Sequence, residues 1–243
     1  MKPSSYLENL KHLPVEMRPT EAEQVRYLGL SDTVFAPITA DRETPTPTEP
    51  PLRAFLLLDA AADRDVYLAM NGYSNEATCL FDGAVASDLE MVGPWLVEIE
   101  QDDSVWEWFV QKGYGNNWGL IIHSRLELRR LKTQLKKFLK IQDEAGDVFF
   151  FKYYRPENFN AHFPEFSPEQ RISFIRGIQR IFAETRKAPD VLQQHEAHAG
   201  DGSAITSVKN VDSIGRNVIA SADVAFDDAF WSASSALENT DAT

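Results

Sequence analysis

The side chains that could carry chemistry in this chain are few, and their spacing suits it poorly. Cys79 is the single cysteine, which excludes an intrachain disulfide and a cysteine-rich zinc site. It lies in an apolar run with no basic neighbour to stabilise a thiolate, so a buried, inert thiol is expected. The five histidines are His12, His123, His162, His195 and His198. His195 and His198 are too close together for the helical H-E-x-x-H zinc pattern. His123 closes an apolar run and reads as a structural histidine. Asp82, Glu98 and Glu100 could form an acid/base pair, but Asp82-Gly83 is turn chemistry and Glu98 and Glu100 share one strand face. The glycines of GYGNNWG (113–119) follow a helix and precede a strand. A phosphate cradle needs the reverse order, so that helix N-terminal amides face the anion. The expectation is a protein that is not an enzyme, with no catalytic residue, no metal and no cofactor.

Charge is more informative. The net charge of −13 argues against nucleic acid and against anionic membranes as partners. The charge is also segregated. Residues 65–111 hold ten acids and no Lys or Arg, whereas 125–140 hold seven basic residues against the single acid Glu127. Either the two blocks cancel in the fold, or a basic helix face receives a partner. Under the second reading Arg129, Arg130 and Lys136 are candidate contacts. Exposed ion pairs contribute only about 0.2–1 kcal/mol each, so such a face would orient a partner more than it stabilises the fold.

Aromatic residues supply the other candidates: Trp95, Trp118, Phe151 and Tyr153. The run DVFFFKYY (147–154) is apolar on both faces. It predicts a strand that is either central and covered or open on one side as a binding surface, and its composition favours the covered form.

Several elements must position these residues. Residues 1–51 hold eight of the 13 prolines and form an N-terminal arm. Within it a short helix is expected over 20–30, capped by Thr20 and Glu23, followed by an extended linker over 41–51. Residues 52–184 form the main domain. Strands are expected at 54–58, 79–81, 95–99, 118–123, 147–154 and 178–182. Helices are expected from Asp63, from Asp103 or Ser104, from a Ser124/Glu127 capping box, and from Ser167-Pro168. If Phe138 to Ile141 extends as a strand, the short connection at 141–148 requires an antiparallel neighbour, which favours α+β with a mixed sheet flanked by helices. Residues 185–243 are expected to hold a structureless stretch over 188–210. A helical stripe follows over 214–238 that includes Phe226 and Phe230, docked on its own domain or on a partner. The N-terminal residues contain no apolar signal region and no stretch is long enough to span a membrane, which predicts a cytoplasmic protein.

The ordered blocks LLLDAA (56–61), CLFDGAVASDL (79–89), VGPWLVEIE (92–100), GYGNNWGLII (113–122), SRLELRRLKTQLKKFLKIQDEAGDVFFFKYYRPENF (124–159) and FPEFSPEQ (163–170) resemble the domain-of-unknown-function 4123 family. The resemblance covers about 55–184. Its members act as chaperones or adaptors for effectors of the bacterial type VI secretion system. The resemblance therefore implies a non-enzymatic protein that binds a cognate effector and helps load it onto the spike protein VgrG. It assigns no binding residue. The alternative reading is an immunity-type protein that binds and neutralises a toxin.

Overall fold

The computed structural model describes residues 10–46, 48–82, 89–142, 145–185, 188–196, 207–212 and 217–218. The apolar run after the proline-rich stretch forms β1 (Arg53–Asp59), in which every residue after Arg53 is buried. A strand apolar on both sides must sit inside a sheet that is covered on both sides. β1 pairs antiparallel with β3 (Pro94–Ile99) and β4 (Gly119–Ser124), placing Leu57 opposite both Leu96 and Leu120. β2 (Ala77–Cys79) forms one edge of the sheet. On the other side follow β7 (Ile178–Thr185), β8 (Ala188–Glu196), β9 (Ser207–Asp212) and β10 (Asn217–Val218). The order is β10-β9-β8-β7-β4-β1-β3-β2, and every described pairing is antiparallel. The α+β class is thus as expected.

Side-chain alternation divides the core in two. One cluster holds Leu56, Leu58, Val97, Ile121 and Phe182. It is covered by α1 (Glu21–Glu43), α2 (Arg64–Gly72) and α3 (Ser104–Trp108). The other holds Phe55, Leu57, Leu96, Leu120, Ile122 and Ile181. It is covered by α4 (Leu128–Lys136), α5 (Pro156–His162) and α6 (Pro168–Phe174). At the start of β4 the backbone comes so close to β1 that a Cβ on Gly119 would lie 2.1 Å from the Leu57 carbonyl oxygen. Only glycine fits there.

Two expectations change here. Thr20 caps α1 as predicted, with a full capping box: its Oγ1 accepts from the Glu23 amide, and its own amide donates to Glu23 Oε2 at 2.7 Å. The helix does not stop near residue 30, however, but runs through Pro37 to Glu43. An interior proline costs about 3 kcal/mol. Tyr27, Leu30, Val34, Phe35 and Ile38 are all buried along one stripe, and each such burial contributes about 1.5–3 kcal/mol. The stripe therefore outweighs the proline. Trp106 locks the helix further by donating its Nε1–H to Ser31 Oγ at 2.8 Å. The segment read as an arm supplies one layer of the fold.

The second change lies at the C-terminal side. Residues 188–196 and 207–212 are strands, not a structureless stretch. β8 buries Leu192 and His195 beside β7, while Gln193 and Gln194 interrupt the apolar pattern that would have marked a strand. Asn217–Val218 is also a strand, where a helix was expected. The rest of that stripe, with Phe226 and Phe230, lies outside the described residues. No helix among the described residues is long and apolar enough to cross a membrane.

Candidate protein-binding surface

The basic helix is built on three leucines. Leu128, Leu131 and Leu135 are buried against the second face of the sheet, which turns Arg129, Arg130, Thr133 and Lys137 outward. The expected Ser124/Glu127 capping box does not form. Ser124 Oγ instead donates to the Gly177 carbonyl at 2.7 Å and accepts from the Leu126 amide at 3.0 Å, tying β4 to the turn before β7. Glu127 occupies the N-cap position without a side-chain capping bond.

The seven cations of 125–140 meet different fates. Arg125 binds Asp41 at 2.6 Å, lies 2.9 Å from Glu49, and donates to the Pro50 carbonyl, stapling the end of α1 and the proline-rich loop to β4. Lys132 and Lys136 both bind Asp82, Lys132 at 2.7 Å. These two ammonium groups hold the Asp82 carboxyl below the usual carboxylate range. Cancellation with the acidic block is thus partial. Arg129 and Arg130 are exposed and have no ionic partner among the described residues.

The helix ends at a hairpin. β5 (Lys140–Gln142) and β6 (Val148–Phe150) pair antiparallel as a separate two-stranded sheet. The single strand expected over 147–154 is therefore broken after Phe150, and Tyr153 and Tyr154 turn back into the core. The hairpin is unusually apolar for its exposure: Ile141 is 49%, Val148 61%, Phe149 51% and Phe150 59% exposed. A two-stranded sheet is marginal alone in water, so contacts at its base must hold it. Phe150 packs edge-on against Phe81 at 5.7 Å, Lys140 Nζ sits 5.5 Å from the Phe150 ring centre, and Phe151 meets Phe166 at 6.2 Å. Beneath the hairpin lies a groove of about 290 Å³, lined by Phe138, Ile141, Phe151 and Phe166 with Lys140 and Gln142 at its wall.

The predicted contact residues divide accordingly. Trp95 is buried, with its Nε1–H donated to the Glu90 carbonyl at 2.8 Å. Trp118 is buried against Trp108 at 5.6 Å. Tyr153 is fully enclosed and donates its hydroxyl to the Leu135 carbonyl at 2.8 Å. These three hold the fold and present no surface to a partner, because both faces of the sheet are covered by helices. Phe151 lines the groove, Arg129 and Arg130 are exposed on the adjoining helix, and Lys136 is exposed but engaged with Asp82. The residues not anticipated as exposed are Ile141, Val148, Phe149 and Phe150. The turn sequence DEAGD between KIQ and the apolar VFF was the signal for a hairpin here.

The remaining titratable groups are built into the frame. Asp59 is fully buried where two sequence blocks meet: LLLDAA supplies the carboxylate and KYYRPENF the cations. It accepts from Arg155 Nε at 2.7 Å and the Ala61 amide at 3.1 Å, with Lys152 Nζ at 3.6 Å. Glu98 binds Arg53 at 2.8 Å and Glu100 binds Arg42, so Asp82, Glu98 and Glu100 are each held by different cations. His123 is buried, and this lowers its pKa to about 3. Neither ring nitrogen makes a well-formed hydrogen bond, although the Val34 backbone weakly favours the protonated ring. His195 lies in β8 with its Nε2 3.1 Å from Asn160 Oδ1, and burial lowers its pKa to about 4. His198 lies outside the described residues. Burial raises the Cys79 thiol, in line with the inert cysteine expected. No group of three or more His, Cys, Asp or Glu among the described residues is placed to hold a metal ion.

Residues 54–173 match a family model described as "Domain of unknown function (DUF4123)". The matched region runs from β1 to α6 and contains the basic helix and the hairpin. Comparison with curated proteins and with solved structures finds no match.

Proposed function

We propose that this protein is a cytoplasmic adaptor that binds a cognate type VI secretion effector and helps load it onto the VgrG spike. The reading starts from the resemblance carried by its sequence blocks. The observation that carries it further is the hairpin. Four large apolar side chains stay about half exposed or more, at the end of a helix whose Arg129 and Arg130 have no ionic partner among the described residues. Exposed apolar residues clustered beside charge mark protein-interaction sites far more often than incidental surface.

Deleting the gene in cells that carry an effector encoded beside it, the neighbouring effector, tests the reading. The effector should lose solubility or fail to be secreted, and expression of this chain should restore it. Unchanged solubility and secretion would refute an adaptor. A toxicity assay separates the immunity reading: rescue of cells from the active toxin, with secretion unaffected, would replace the adaptor with a neutralising protein.

A further inference from the structure

We infer that the outer ridge of α4 and the β5–β6 hairpin form one continuous docking face, and that its occupant is an acidic, amphipathic segment of the partner protein. The inference rests on the adaptor reading and specifies the chemistry of its contact. Arg129 and Arg130 lie about two helical turns, roughly 11 Å, before Lys137 on the same outward side, and Lys140 opens the hairpin directly after. A segment crossing this face meets cations first and exposed aromatic and aliphatic side chains second. Its acids would sit over Arg129, Arg130 and Lys137. Its apolar residues would fill the groove beside Ile141 and Phe151.

Charge selects this occupant over others. A second copy of the chain joined symmetrically about an axis through Arg129 and Arg130 would place these cations against their own equivalents, which is unfavourable. A lipid surface would match the cations, but the sequence joining β5 to β6 holds Asp143, Glu144 and Asp147, acids that an anionic bilayer repels. The chain's own C-terminal segment is acidic and aromatic, with Asp223, Phe226, Asp227, Asp228 and Phe230. It leaves the fold at β10, the opposite edge of the sheet from β2. Seven strand spacings, roughly 34 Å, separate those edges. The residues from 218 to 226 span at most about 29 Å when fully extended, so Phe226 falls short of the hairpin, and Phe230, at most about 43 Å along the chain, reaches it only if residues 218–230 run largely extended. A segment supplied by another protein has no such limit.

The test measures binding of the neighbouring effector to full-length protein and to four variants whose melting temperatures are checked first. Arg129→Glu/Arg130→Glu and Phe149→Ser/Phe150→Ser should each weaken binding at least tenfold. Leu68→Ser, an exposed apolar residue elsewhere, should leave it unchanged, as should truncation after Val218. Binding to the wild type should also weaken steeply with added salt. If the wild type binds and both double variants bind equally well, the docking face is wrong while the adaptor reading stands. If truncation after Val218 tightens binding tenfold or more, the chain's own tail occupies the face and the inference is overturned. If the wild type captures no effector, the adaptor reading fails and the face falls with it.

Discussion

Glu184 is a buried carboxylate whose charge the fold tolerates poorly, and replacing it with glutamine should reveal this as a pH-dependent gain in stability. Its side chain lies in β7 and is 8% exposed. One carboxylate oxygen accepts from the Asn117 amide at 3.1 Å, with the Gly115 amide also acting on the group, while Oε1 has no partner. No cation pairs with it among the described residues. Burial pushes its pKa up to about 7, from an ordinary value of 4.5. The folded state therefore favours the protonated acid. Its contribution is fully present below pH 4.5 and is lost as pH rises toward 7. At about 1.36 kcal/mol per pH unit, that interval corresponds to at most about 3 kcal/mol. Glutamine keeps an acceptor for the loop amides and carries no charge. Glu184→Gln should thus be more stable than the wild type at pH 8, by up to about 3 kcal/mol, and the difference should close by about pH 4.5. Urea unfolding of both proteins from pH 4.5 to 8 measures it. His123 and His195 titrate in the opposite sense: their neutral forms contribute above pH 6.5 and that contribution is lost as pH falls. Both are the same in the two proteins and cancel in the difference. If the variant is no more stable at pH 8, the Asn117 and Gly115 amides hold the ionised carboxylate and the argument from burial fails.

Further outcomes follow from the packing. Gly119→Ala should lower the melting temperature strongly, because its Cβ would collide with the Leu57 carbonyl of β1. Overpacking of this kind costs about 1–3 kcal/mol or more. Asp59→Asn should destabilise by about 1–3 kcal/mol, a value discounted for the partial exposure of Arg155 and Lys152. Denaturant unfolding checks it. A chain ending at Ala188 should be poorly soluble or melt early, since it loses β8, exposes the edge of β7 and uncovers Phe159 and Phe163, which His195 packs against. Phe149→Ser/Phe150→Ser should shift the melting temperature by only a few degrees, because both side chains are about half exposed or more.

Much of the fold was legible in the sequence, and the exceptions have physical causes. AFLLL, WLVEI and WGLII announce strands, and Thr20 and Ser167 announce helix starts through short-range capping bonds that need no tertiary context. Pro37 hides the length of α1, because its local cost is visible in the sequence and the burial of Val34, Phe35 and Ile38 is not. β8 and β9 are hidden because near the edge of a sheet polar residues are tolerated, so Gln193, Gln194, Lys209 and Asn210 dilute the pattern. The basic block was legible as a helix, but not the division of its cations: Arg125 is taken by Asp41 and Glu49, far away in sequence, while Arg129 and Arg130 have no ionic partner among the described residues. The aromatic candidates went astray for the same reason. Trp95, Trp118 and Tyr153 have the residue types of a binding surface, yet lie under helices. Phe149 and Phe150 look like core and stand outside it because the chain breaks at Phe151.

Site-specific photo-crosslinking reaches the central claim most directly. A benzophenone amino acid placed at Phe149 and, separately, at Leu68 would be activated in cells that express the neighbouring effector. The account predicts an effector crosslink from position 149, mapping to an acidic, amphipathic stretch, and none from position 68. A crosslink from position 68 with none from 149 would contradict it.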